Sequence, residues 1–432
     1  TPPHPGVLPP GSYRADAGRR RQQCQPAQPP AGQSGGSPGL GHERPASPVL
    51  HLISETNFQA RAVVVKILTV VGARPNFVKL AALERAFRSR PEVAFRVVHT
   101  GQHYDDTLNG IFFRQLAIPQ PDHFLGVGSA APARQLARML NRLDPVLRRE
   151  KPDLVLVAGD TTSALAGALA GSKSGIPVAH VEAGLRSGDR RMPEEINRIL
   201  TDAVSDFLFV TEQAGLDNLR REGIAEERIF FTGNCMIDTL VRFREAATRT
   251  RATEKLGLLP GKFVLATLHR PANVDTARGL EAVINLIAAV CREYPLVLPL
   301  HPRAGKNLDK HGLLAGLPTR HNLFLIEPQG YLEFLNLLEN AALVLTDSGG
   351  IQDESTFLGK PCLTLRTTTE RPVTVISGTN ELAALDDQAL ILNKIRQAMS
   401  GEWKTGTVPP GWDGQSARRI SEIITKNLPG NG

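Results

Sequence analysis

Short apolar runs separated by amphipathic segments constrain the fold of this chain more than any other feature of its sequence. Runs rich in Val, Leu and Ile occupy residues 63–71, 95–99, 154–158, 178–181, 207–210 and 229–231. A second series occupies residues 263–268, 296–300, 323–326, 343–345 and 362–365. Uninterrupted apolar strands that alternate with helices indicate parallel sheets covered on both faces. The sequence therefore predicts an α/β protein with two doubly wound units of similar size, facing across a cleft.

The length of the chain also favours two domains. A chain of 432 residues exceeds what one hydrophobic core usually supports. We place the first domain at 63–234 and the second at 235–414, and we expect a last helix, 415–428, to pack back on the first domain.

The first residues differ in composition from the rest of the chain. Residues 1–50 contain eleven prolines and eight glycines, with almost no apolar periodicity, so we predict a disordered tail at 1–62. The first methionine is Met139. We interpret the tail either as a fragment boundary or as sequence upstream of a start near residues 63–65, and we assign it no function.

Charge and cysteine content narrow the class of protein. The net charge is +7 and the pI about 9.4, but basic and acidic residues are interspersed and only 5% of residues are aromatic. This pattern argues against nucleic acid as a partner and suits a phosphate-bearing small molecule. No apolar run is long enough to span a membrane. The four cysteines lack the spacing of a zinc site and indicate a reducing compartment, so we interpret the protein as cytoplasmic.

The most highly charged segment is 180–198, which contains four carboxylates, four arginines and His180. Glu182 lies where a predicted strand gives way to a loop, and Glu194 and Glu195 lie where a helix begins after Met192. Ligands of open α/β sheets bind at the carboxyl ends of strands. The alternative is a connection whose charges merely pair with each other, and charge density alone leaves both interpretations open.

Two other strand ends resemble phosphate sites. After the first strand, Gly72 permits a tight turn, and Arg74 and Lys79 can reach an anion at the start of the next helix. No GxGxxG fingerprint or P-loop is present in the sequence, which weakens the dinucleotide and triphosphate interpretations.

In the second unit, Ser348, Gly349 and Gly350 precede a helix whose free N–H groups can bind a diphosphate. Glu354, about one turn later, is placed to accept hydrogen bonds from ribose hydroxyls. A Ser-Gly-Gly sequence by itself more often forms a helix-capping loop.

Further polar clusters follow strands at 159–163, 267–271, 301–303 and 369–372. Asp160 alone would most often be a helix N-cap, and His269 alone a structural histidine. Six or more such clusters at the strand ends of one cleft favour a binding site over unrelated structural roles.

Taken in order, these motifs resemble the non-hydrolysing UDP-N-acetylglucosamine 2-epimerases. The resemblance spans residues 66–423 and rests on Gly-Ala-Arg-Pro at 72–75 with Lys79, Thr-Gly-Gln-His at 100–103, Gly-Asp at 159–160, His-Val-Glu-Ala-Gly-Leu-Arg at 180–186, Met-Pro-Glu-Glu-Ile-Asn-Arg at 192–198, Thr-Gly-Asn at 232–234, His-Arg at 269–270, Ser-Gly-Gly-Ile-Gln at 348–352 with Glu354, and Gly-Thr-Asn at 378–380. It implies two Rossmann-like domains in a glycosyltransferase-B-like fold and a homodimer. The implied reaction interconverts UDP-GlcNAc and UDP-ManNAc for surface polysaccharides.

The chemistry of such a reaction favours elimination. The hydrogen on carbon 2 is not adjacent to a carbonyl, so it cannot be removed directly without an activated intermediate. Oxidation at carbon 3 would need a nicotinamide site, which the sequence does not display. Loss of UDP across carbons 1 and 2 gives 2-acetamidoglucal, and re-addition inverts carbon 2. This route needs carboxylates on both faces of the sugar and cations at the diphosphate, with no cofactor or metal.

The resemblance assigns roles to individual residues. It implies that the catalytic carboxylates are Asp160, Glu182 and Glu194, and that His269 acts at the leaving diphosphate. It implies a substrate-binding set of Arg74, Lys79, Ser348, Gly349, Gly350 and Glu354. Arg198 and Arg371 are added as supporting cations that structural ion pairs would explain nearly as well.

Some positions depart from the family pattern. Ala272 and Asp353 stand where members often carry glutamate, and Tyr104 and Asp105 replace a glutamine used in allosteric activation, which we therefore do not expect. Residues 189–195 resemble relatives that act on UDP-2,3-diacetamido sugar acids. The alternatives are therefore an epimerase of such a sugar acid, a hydrolysing epimerase, and a UDP-sugar glycosyltransferase.

Overall fold

The computed structural model describes residues 64–102, 106–300, 302–313 and 322–428. The side chains of residues 74, 106–109, 271–272 and 302–303 are not described. The tail predicted at 1–62 lies outside these ranges. We call residues 64–234 the first half of the chain and residues 235–428 the second half.

The first half contains a seven-stranded parallel sheet in the order β3-β2-β1-β4-β5-β6-β7. Its strands are β1 (Val65–Val71), β2 (Val93–His99), β3 (His123–Phe124), β4 (Leu154–Ala158), β5 (Val178–Ala183), β6 (Phe207–Val210) and β7 (Ile229–Phe231). All but β3 coincide with predicted apolar runs. The edge strand β3 was not predicted, because its two residues pair with Val98 and His99 without forming an apolar run of their own.

The second half contains a six-stranded parallel sheet in the order β10-β9-β8-β11-β12-β13. Its strands are β8 (Val264–Thr267), β9 (Leu296–Pro299), β10 (Leu323–Ile326), β11 (Leu343–Thr346), β12 (Cys362–Thr364) and β13 (Asn380–Leu382). The short polar strand β13 was also not predicted. In both sheets the order reverses beside the first strand of the half, which is where doubly wound sheets bind ligands.

Helices cover both faces of the first sheet, as the continuous apolar runs predict. The helices of the first half are α1 (Arg74–Arg88), α2 (Asp106–Gln115), α3 (Pro132–Glu150), α4 (Thr162–Lys173), α5 (Pro193–Val204) and α6 (Gln213–Arg221), with a 3-10 turn at Glu226–Arg228. The first helix of the second half is α7 (Cys235–Thr250). Ile67 packs with Leu83 and Phe87 of α1 on one face. Leu68 packs with Met139 of α3 on the other face. Adjacent strand residues therefore enter different cores, which confirms the doubly wound architecture.

The remaining helices belong to the second half. They are α8 (Ala252–Lys255), α9 (Pro271–Val274), α10 (Ala277–Val290), α11 (Pro302–Lys310), α12 (Tyr331–Asn340), α13 (Gly349–Phe357), α14 (Pro372–Ile376), α15 (Gln388–Ser400) and α16 (Ser416–Asn427). The last helix, α16, returns to the first half, where Ile420 and Ile424 join the core formed by Ile67 and α1. No helix in the described ranges is long and apolar enough to cross a membrane.

A core shared by the two halves lies beside α7. Phe77 and Leu80 of α1 pack there with Leu240 of α7 and Tyr331 of α12. The Thr239 hydroxyl donates a hydrogen bond of 2.7 Å to the Val78 carbonyl. Helix α7 therefore links the halves at the predicted join, and the domain boundary at 234/235 stays a prediction.

Candidate active site

Charged side chains from both halves meet at the carboxyl ends of the strands. Lys79 lies on α1, Asp160 follows β4, and Glu182 lies near the end of β5. Glu370 and Arg371 follow β12 in the second half. Carboxyl ends of parallel strands are where consecutive βα units can place side chains side by side.

Glu182 is held between cations from the two halves. Its side chain is 4% exposed, and its Oε2 lies 2.8 Å from Lys79 Nζ. Its Oε1 lies 3.1 Å from Nη2 of Arg371, which stands 189 residues further along the chain. Both oxygens of this carboxylate are therefore fixed, one by each half of the molecule.

The backbone at Glu182 is also unusual. Its φ is +74°, and the register between β5 and β6 shifts between Val181 and Ala183. A left-handed conformation in a residue other than glycine costs of the order of 1–2 kcal/mol, so the surrounding contacts must hold it. Gly159 lies opposite, where a Cβ atom would stand 2.8 Å from Lys79 Nζ. A side chain at residue 159 would displace the lysine from Glu182.

Asp160 pairs with the buried Arg198. Arg198 Nη2 lies 2.8 Å from Asp160 Oδ2, with side-chain exposures of 2% for the arginine and 23% for the aspartate. Burial opposes the charge of Asp160, but Arg198 and Lys79 outweigh it and lower the pKa of the carboxyl. Thr161, rather than Asp160, is the N-cap of α4 and accepts a hydrogen bond from the Ala164 N–H. The partly exposed Asp160 carboxylate is therefore ionised and not used as a cap.

The two glutamates at the start of α5 differ in their surroundings. Glu195 is buried and accepts hydrogen bonds from the N–H groups of Ser187 and Gly188 at 2.8 and 3.0 Å. It also lies 2.7 Å from Arg198 Nη1. The side chain of Glu194 is half-buried and forms no hydrogen bond or ion pair with any described residue. Glu195 thus holds the loop before α5, and Glu194 keeps both oxygens available.

The start of α13 approaches the charged cluster closely. A Cβ atom on Gly349 would lie 2.5 Å from Glu370 Oε1 and 2.8 Å from Arg371 Nη1. On Gly350 it would lie 2.8 Å from the Met236 methyl group. Ser348 occupies the N-cap position without a side-chain cap bond, and the first N–H groups of a helix have no helical partner. This backbone can bind an anion beside Arg371.

His269 is oriented by the buried Asp347. Its Nδ1 lies 3.1 Å from Asp347 Oδ1, and its side chain is 41% exposed. The same carboxylate accepts hydrogen bonds from the N–H of Arg270 and from Asn273 Nδ2 at 2.9 and 3.0 Å. Burial opposes the charge of Asp347, but the contact with His269 and these hydrogen bonds lower its pKa. Asp347 therefore fixes the exposed imidazole next to the start of α13.

Two of the predicted binding residues have no described contact with the charged cluster around Glu182. The Glu354 carboxyl is buried and accepts a hydrogen bond of 3.0 Å from the Tyr331 hydroxyl. Burial raises the pKa of Glu354 to about 7. Arg74 begins α1, but its side chain lies outside the described residues, as do His103, Tyr104 and the start of the 301–303 cluster. Nothing in the described contacts therefore joins Arg74 or Glu354 to the Glu182 carboxylate.

Sequence reasoning did not single out Glu370, which is surrounded by four arginines. It lies 2.8 Å from Arg366 and 3.0 Å from Arg371, with Arg198 and Arg270 at 3.8 and 3.7 Å. Burial opposes its charge, but Arg371, Arg198 and the other two arginines hold its pKa well below the usual range. Its position in the polar cluster 369–372, which follows a predicted strand, was the available signal.

Asp353 and Glu212 were also not assigned to the site. Asp353 Oδ2 lies 2.8 Å from Arg371 Nε and accepts a hydrogen bond of 3.0 Å from Asn234 Nδ2, and burial raises its pKa to about 6. Glu212 follows β6, and burial raises its pKa to about 8. A single acidic residue after a strand carries little information, so the sequence offered no separate signal for Glu212.

Part of the 180–198 segment is structural. His180 Nδ1 lies 2.6 Å from the buried Asp202 Oδ1, and Arg186 lies 2.7 Å from the second oxygen of the same carboxylate. Arg191 pairs on the surface with Asp189 at 2.8 Å. Both interpretations of this segment therefore apply, each to a different part of it: one part belongs to the candidate site, and in the other the charges pair with each other or with nearby residues. Glu182 and Arg198 lie in the shared cluster, and His180 and Arg186 lie in a separate ion-pair network.

Comparison with known proteins identifies the relatives of this chain. The family profile described as UDP-N-acetylglucosamine 2-epimerase matches residues 85–425. The chain is 40% identical over 366 residues to the UDP-N-acetylglucosamine 2-epimerase of Methanococcus maripaludis, covering 83% of this chain and 98% of that protein. It is 42% identical over 368 residues to the UDP-2,3-diacetamido-2,3-dideoxy-D-glucuronate 2-epimerase of Pseudomonas aeruginosa, covering 84% and 99%.

A solved structure supports the same relationship. The Methanocaldococcus jannaschii UDP-GlcNAc 2-epimerase, crystallised in complex with UDP-GlcNAc and UDP, superimposes with a TM-score of 0.79 at 39% identity. The match covers 84% of this chain and 100% of that one. The two parallel sheets therefore form the glycosyltransferase-B-like pair of Rossmann-like units that the resemblance implied. Among the described residues, no group of three His, Cys, Asp or Glu side chains could hold a metal ion.

Proposed function

The chain belongs to the UDP-N-acetylglucosamine 2-epimerase family, and we propose that it interconverts UDP-GlcNAc and UDP-ManNAc by inverting carbon 2 of the sugar. The observation that carries this proposal is the meeting of Glu182, Lys79 and Arg371 at the junction of the two halves. The relative from M. jannaschii, described in complex with UDP-GlcNAc and UDP, supports a UDP-sugar as the substrate.

The proposed route eliminates UDP and adds it back. A carboxylate removes the proton from carbon 2 while the bond between carbon 1 and the diphosphate oxygen breaks, which leaves 2-acetamidoglucal and UDP. The diphosphate then re-forms the bond to carbon 1, and a carboxylic acid delivers a proton to the opposite face of carbon 2. No electrons are gained or lost overall, so the route needs no hydride carrier.

The candidate catalytic carboxylates are Asp160, Glu182 and Glu194. Asp160 is partly exposed with a lowered pKa, and the Glu194 carboxylate is not engaged by any described residue. Glu182 lies between Lys79 and Arg371, each of which pairs with one of its oxygens. Three carboxylates from β4, β5 and α5 can supply the acid and the base that inversion requires on two faces.

The departing diphosphate requires positive charge. We propose that the start of α13 binds it through the Ser348 hydroxyl and the N–H groups of Gly349 and Gly350, because the Ser348 N–H donates to Thr346. His269, Arg371 and Arg198 supply the positive charge around it. Arg74 and Lys79 supply cations from α1, and Glu354 contacts the ribose. In this structure Oε1 of Glu354 accepts a hydrogen bond from the Tyr331 hydroxyl, so the ribose contact is assigned to Oε2.

The finer biological setting is also a proposal. We expect a homodimer, two domains with a boundary at 234/235, and a cytoplasmic enzyme that supplies precursors of surface polysaccharides. The three cysteines in the described part of the chain are free, which is consistent with a reducing compartment. Light scattering during size-exclusion chromatography measures the oligomeric state, and a monomeric mass at working concentration would contradict the dimer.

A second substrate is favoured by one relative. The P. aeruginosa epimerase that is 42% identical to this chain is named for a UDP-2,3-diacetamido sugar acid. Residues 189–195 of this chain resemble such relatives. The second candidate is therefore the same elimination and re-addition on a uronate with an acetamido group at carbon 3.

Proton NMR in heavy water tests the reaction and the alternatives. Incubation of the purified protein with UDP-GlcNAc should give UDP-ManNAc. Deuterium should appear at carbon 2 of both UDP-GlcNAc and UDP-ManNAc. Free ManNAc with UDP would indicate a hydrolysing epimerase, and no reaction without an acceptor would favour a glycosyltransferase. A parallel incubation with UDP-2,3-diacetamido-2,3-dideoxy-glucuronate decides the substrate: the larger kcat/KM identifies the preferred sugar.

A further inference from the structure

Glu212 is a buried carboxyl group with no role in the proposed reaction. It stands at the N-cap position of α6, but its side chain accepts no capping hydrogen bond. The side chain turns toward the second half, where its Oε1 accepts a hydrogen bond of 3.4 Å from the N–H of Val373 in α14. The residue is 2% exposed, and its Oε2 has no hydrogen-bond partner among the described residues.

The charged groups that face Glu212 come from three other elements. They are Asp353 on α13, Arg371 before α14, and Glu182 on β5. Arg371 donates to Asp353 and to Glu182, and its third hydrogen-bonding nitrogen, Nη1, lies 3.0 Å from Glu370. The described contacts therefore assign every nitrogen of this guanidinium to a carboxylate other than Glu212.

The remaining anions in this region have cations of their own. Lys79 pairs with Glu182, and three further arginines surround Glu370. One oxygen of Asp353, Oδ1, is unpartnered, as is Oε2 of Glu212. A second negative charge beside Asp353 would be buried without a cation, which costs far more free energy than keeping a proton.

We propose that Glu212 is a positioning residue that works as an uncharged carboxylic acid, and that its ionisation draws Arg371 away from Glu182. This inference rests on the proposed function, and it concerns how the central carboxylate of that function, Glu182, is positioned. A neutral Glu212 leaves the Arg371 guanidinium to Glu182 and Asp353. An ionised Glu212 competes for that guanidinium and repels Glu182, so the contact between the two halves loosens.

The burial of Glu212 and its proximity to Asp353 set the pH at which this change occurs. Burial first, and then the negative charge of Asp353, raise the pKa of Glu212 to about 8, while Arg371 opposes the shift. The neutral form predominates below this pH. Epimerisation should therefore decline as the pH rises through this value.

The first test compares the pH profiles of wild type and Glu212→Gln. We expect wild-type kcat/KM for UDP-GlcNAc to fall about tenfold per pH unit above about pH 8, because one proton is lost from one essential group. Glutamine imitates the neutral acid, so the variant should retain activity within about threefold at pH 7 and extend the plateau by about one unit or more. Glu222→Gln, at the exposed end of α6, is the matched control and should keep the wild-type profile.

The second test observes the proton itself. The infrared spectrum of the unliganded protein near neutral pH should contain the carbonyl band of a buried carboxylic acid that disappears on raising the pH through about 8. The component of the band that disappears near pH 8 should be missing from the spectrum of Glu212→Gln and present in that of Glu222→Gln. Because no substrate is added, this measurement remains informative even if UDP-GlcNAc is not the substrate.

Several outcomes would overturn the proposal. They are a Glu212→Gln profile with the wild-type decline, a folded Glu212→Gln protein that is inactive at every pH, and an infrared spectrum unchanged by the substitution. A variant that fails to fold would also count against it, because glutamine replaces a neutral acid of the same shape. If wild type binds UDP and shows the band but does not epimerise UDP-GlcNAc, the proposed function fails while the protonation of Glu212 stands.

Discussion

At the residue level, the candidate catalytic carboxylate Glu182 is held by both halves of the molecule. Lys79 and Arg371 each bind one of its oxygens, and the left-handed backbone at residue 182 turns the side chain out of the regular strand alternation. Strained backbone persists where surrounding contacts over-determine it, and such positions cluster at functional sites. The geometry of Glu182 is therefore sensitive to changes in either half of the molecule.

Neutralising the candidate carboxylates tests their role. We expect Glu182→Gln and Asp160→Asn each to lower deuterium exchange at carbon 2 by about 100-fold or more, since each change removes an acid–base group. Binding of UDP should persist, because Arg371 and the start of α13 are retained. Exchange is measured by NMR and UDP affinity by calorimetry. Glu226→Gln, which lies on the surface, serves as the control, and wild-type turnover in either variant would rule out the assigned role.

The adjacent glutamates of α5 should separate activity from stability. Glu195→Gln leaves Arg198 without one of its buried anions and weakens the loop at Ser187, so we expect a loss of about 2–4 kcal/mol in the free energy of unfolding. Glu194→Gln neutralises a carboxylate with no partner in the described residues, so the unfolding free energy should change by less than about 0.5 kcal/mol. Epimerisation should nevertheless fall by about 100-fold in Glu194→Gln. Urea unfolding and kinetics on the same samples decide this, and equal stability losses would contradict the division of roles.

At the level of elements, the last helix, α16, packs against the first helix, α1. Ile420 and Ile424 pack on α1, and the Asp238 carboxylate of α7 accepts hydrogen bonds from the N–H groups of Ser416 and Ala417 at 3.1 and 2.7 Å. A carboxylate at a helix N-terminus satisfies free N–H groups and favours the helix dipole. The last helix is therefore both packed and capped by residues distant in sequence.

Truncating a core side chain of α16 should destabilise the first half. Ile420 is fully buried, so we expect Ile420→Ala to lower the unfolding free energy by about 2–5 kcal/mol through lost burial and the cavity left behind. Glu422→Ala, on the exposed side of the same helix, should change it by less than about 0.5 kcal/mol. Chemical denaturation of both variants measures the difference. A small effect of Ile420→Ala would mean that α16 packs more loosely than its contacts indicate.

At the level of the whole molecule, several buried acids retain their protons in the folded state. Burial raises the pKa of Glu212 to about 8, of Glu354 to about 7, and of Asp238 and Asp353 to about 6. In the unfolded chain these groups ionise near their ordinary values. The folded state therefore binds more protons than the unfolded state between about pH 5 and pH 8.

Stability should consequently decrease as the pH rises through this range. Each such acid contributes a slope of about 1.4 kcal/mol per pH unit between its unfolded and folded pKa values. Glu354→Gln should flatten the dependence between about pH 5 and pH 7. Asp160→Asn acts on a group with a lowered pKa, whose stabilisation is lost only as the pH falls below its ordinary range, so it should leave the slope above pH 5 unchanged. Urea midpoints across the range test this, and a stability that rises with pH would contradict it.

The parallel α/β architecture follows from the amino-acid sequence alone, because strands buried on both faces require uninterrupted apolar runs and this pattern is local. The sequence also placed Asp160, Glu182 and Ser348 at the carboxyl edges of the sheets, since polar residues directly after such runs fall there, and it placed Lys79 in the helix after the first run. The strands β3 and β13 escaped this reasoning, because two or three residues of mixed polarity carry no periodicity. Similarity of motifs indicated the family before any contact was known.

The pairing of the charged residues depends on tertiary contacts. Arg371 and Glu182 are separated by 189 residues, and Asn234 and Asp353 by 119, so no local pattern can pair them. The same folding buries Glu212 beside Asp353 and places Glu354 against Tyr331, which sets their proton affinities. Burial and the distances between charges determine pKa values, and both depend on how residues distant in the chain pack together.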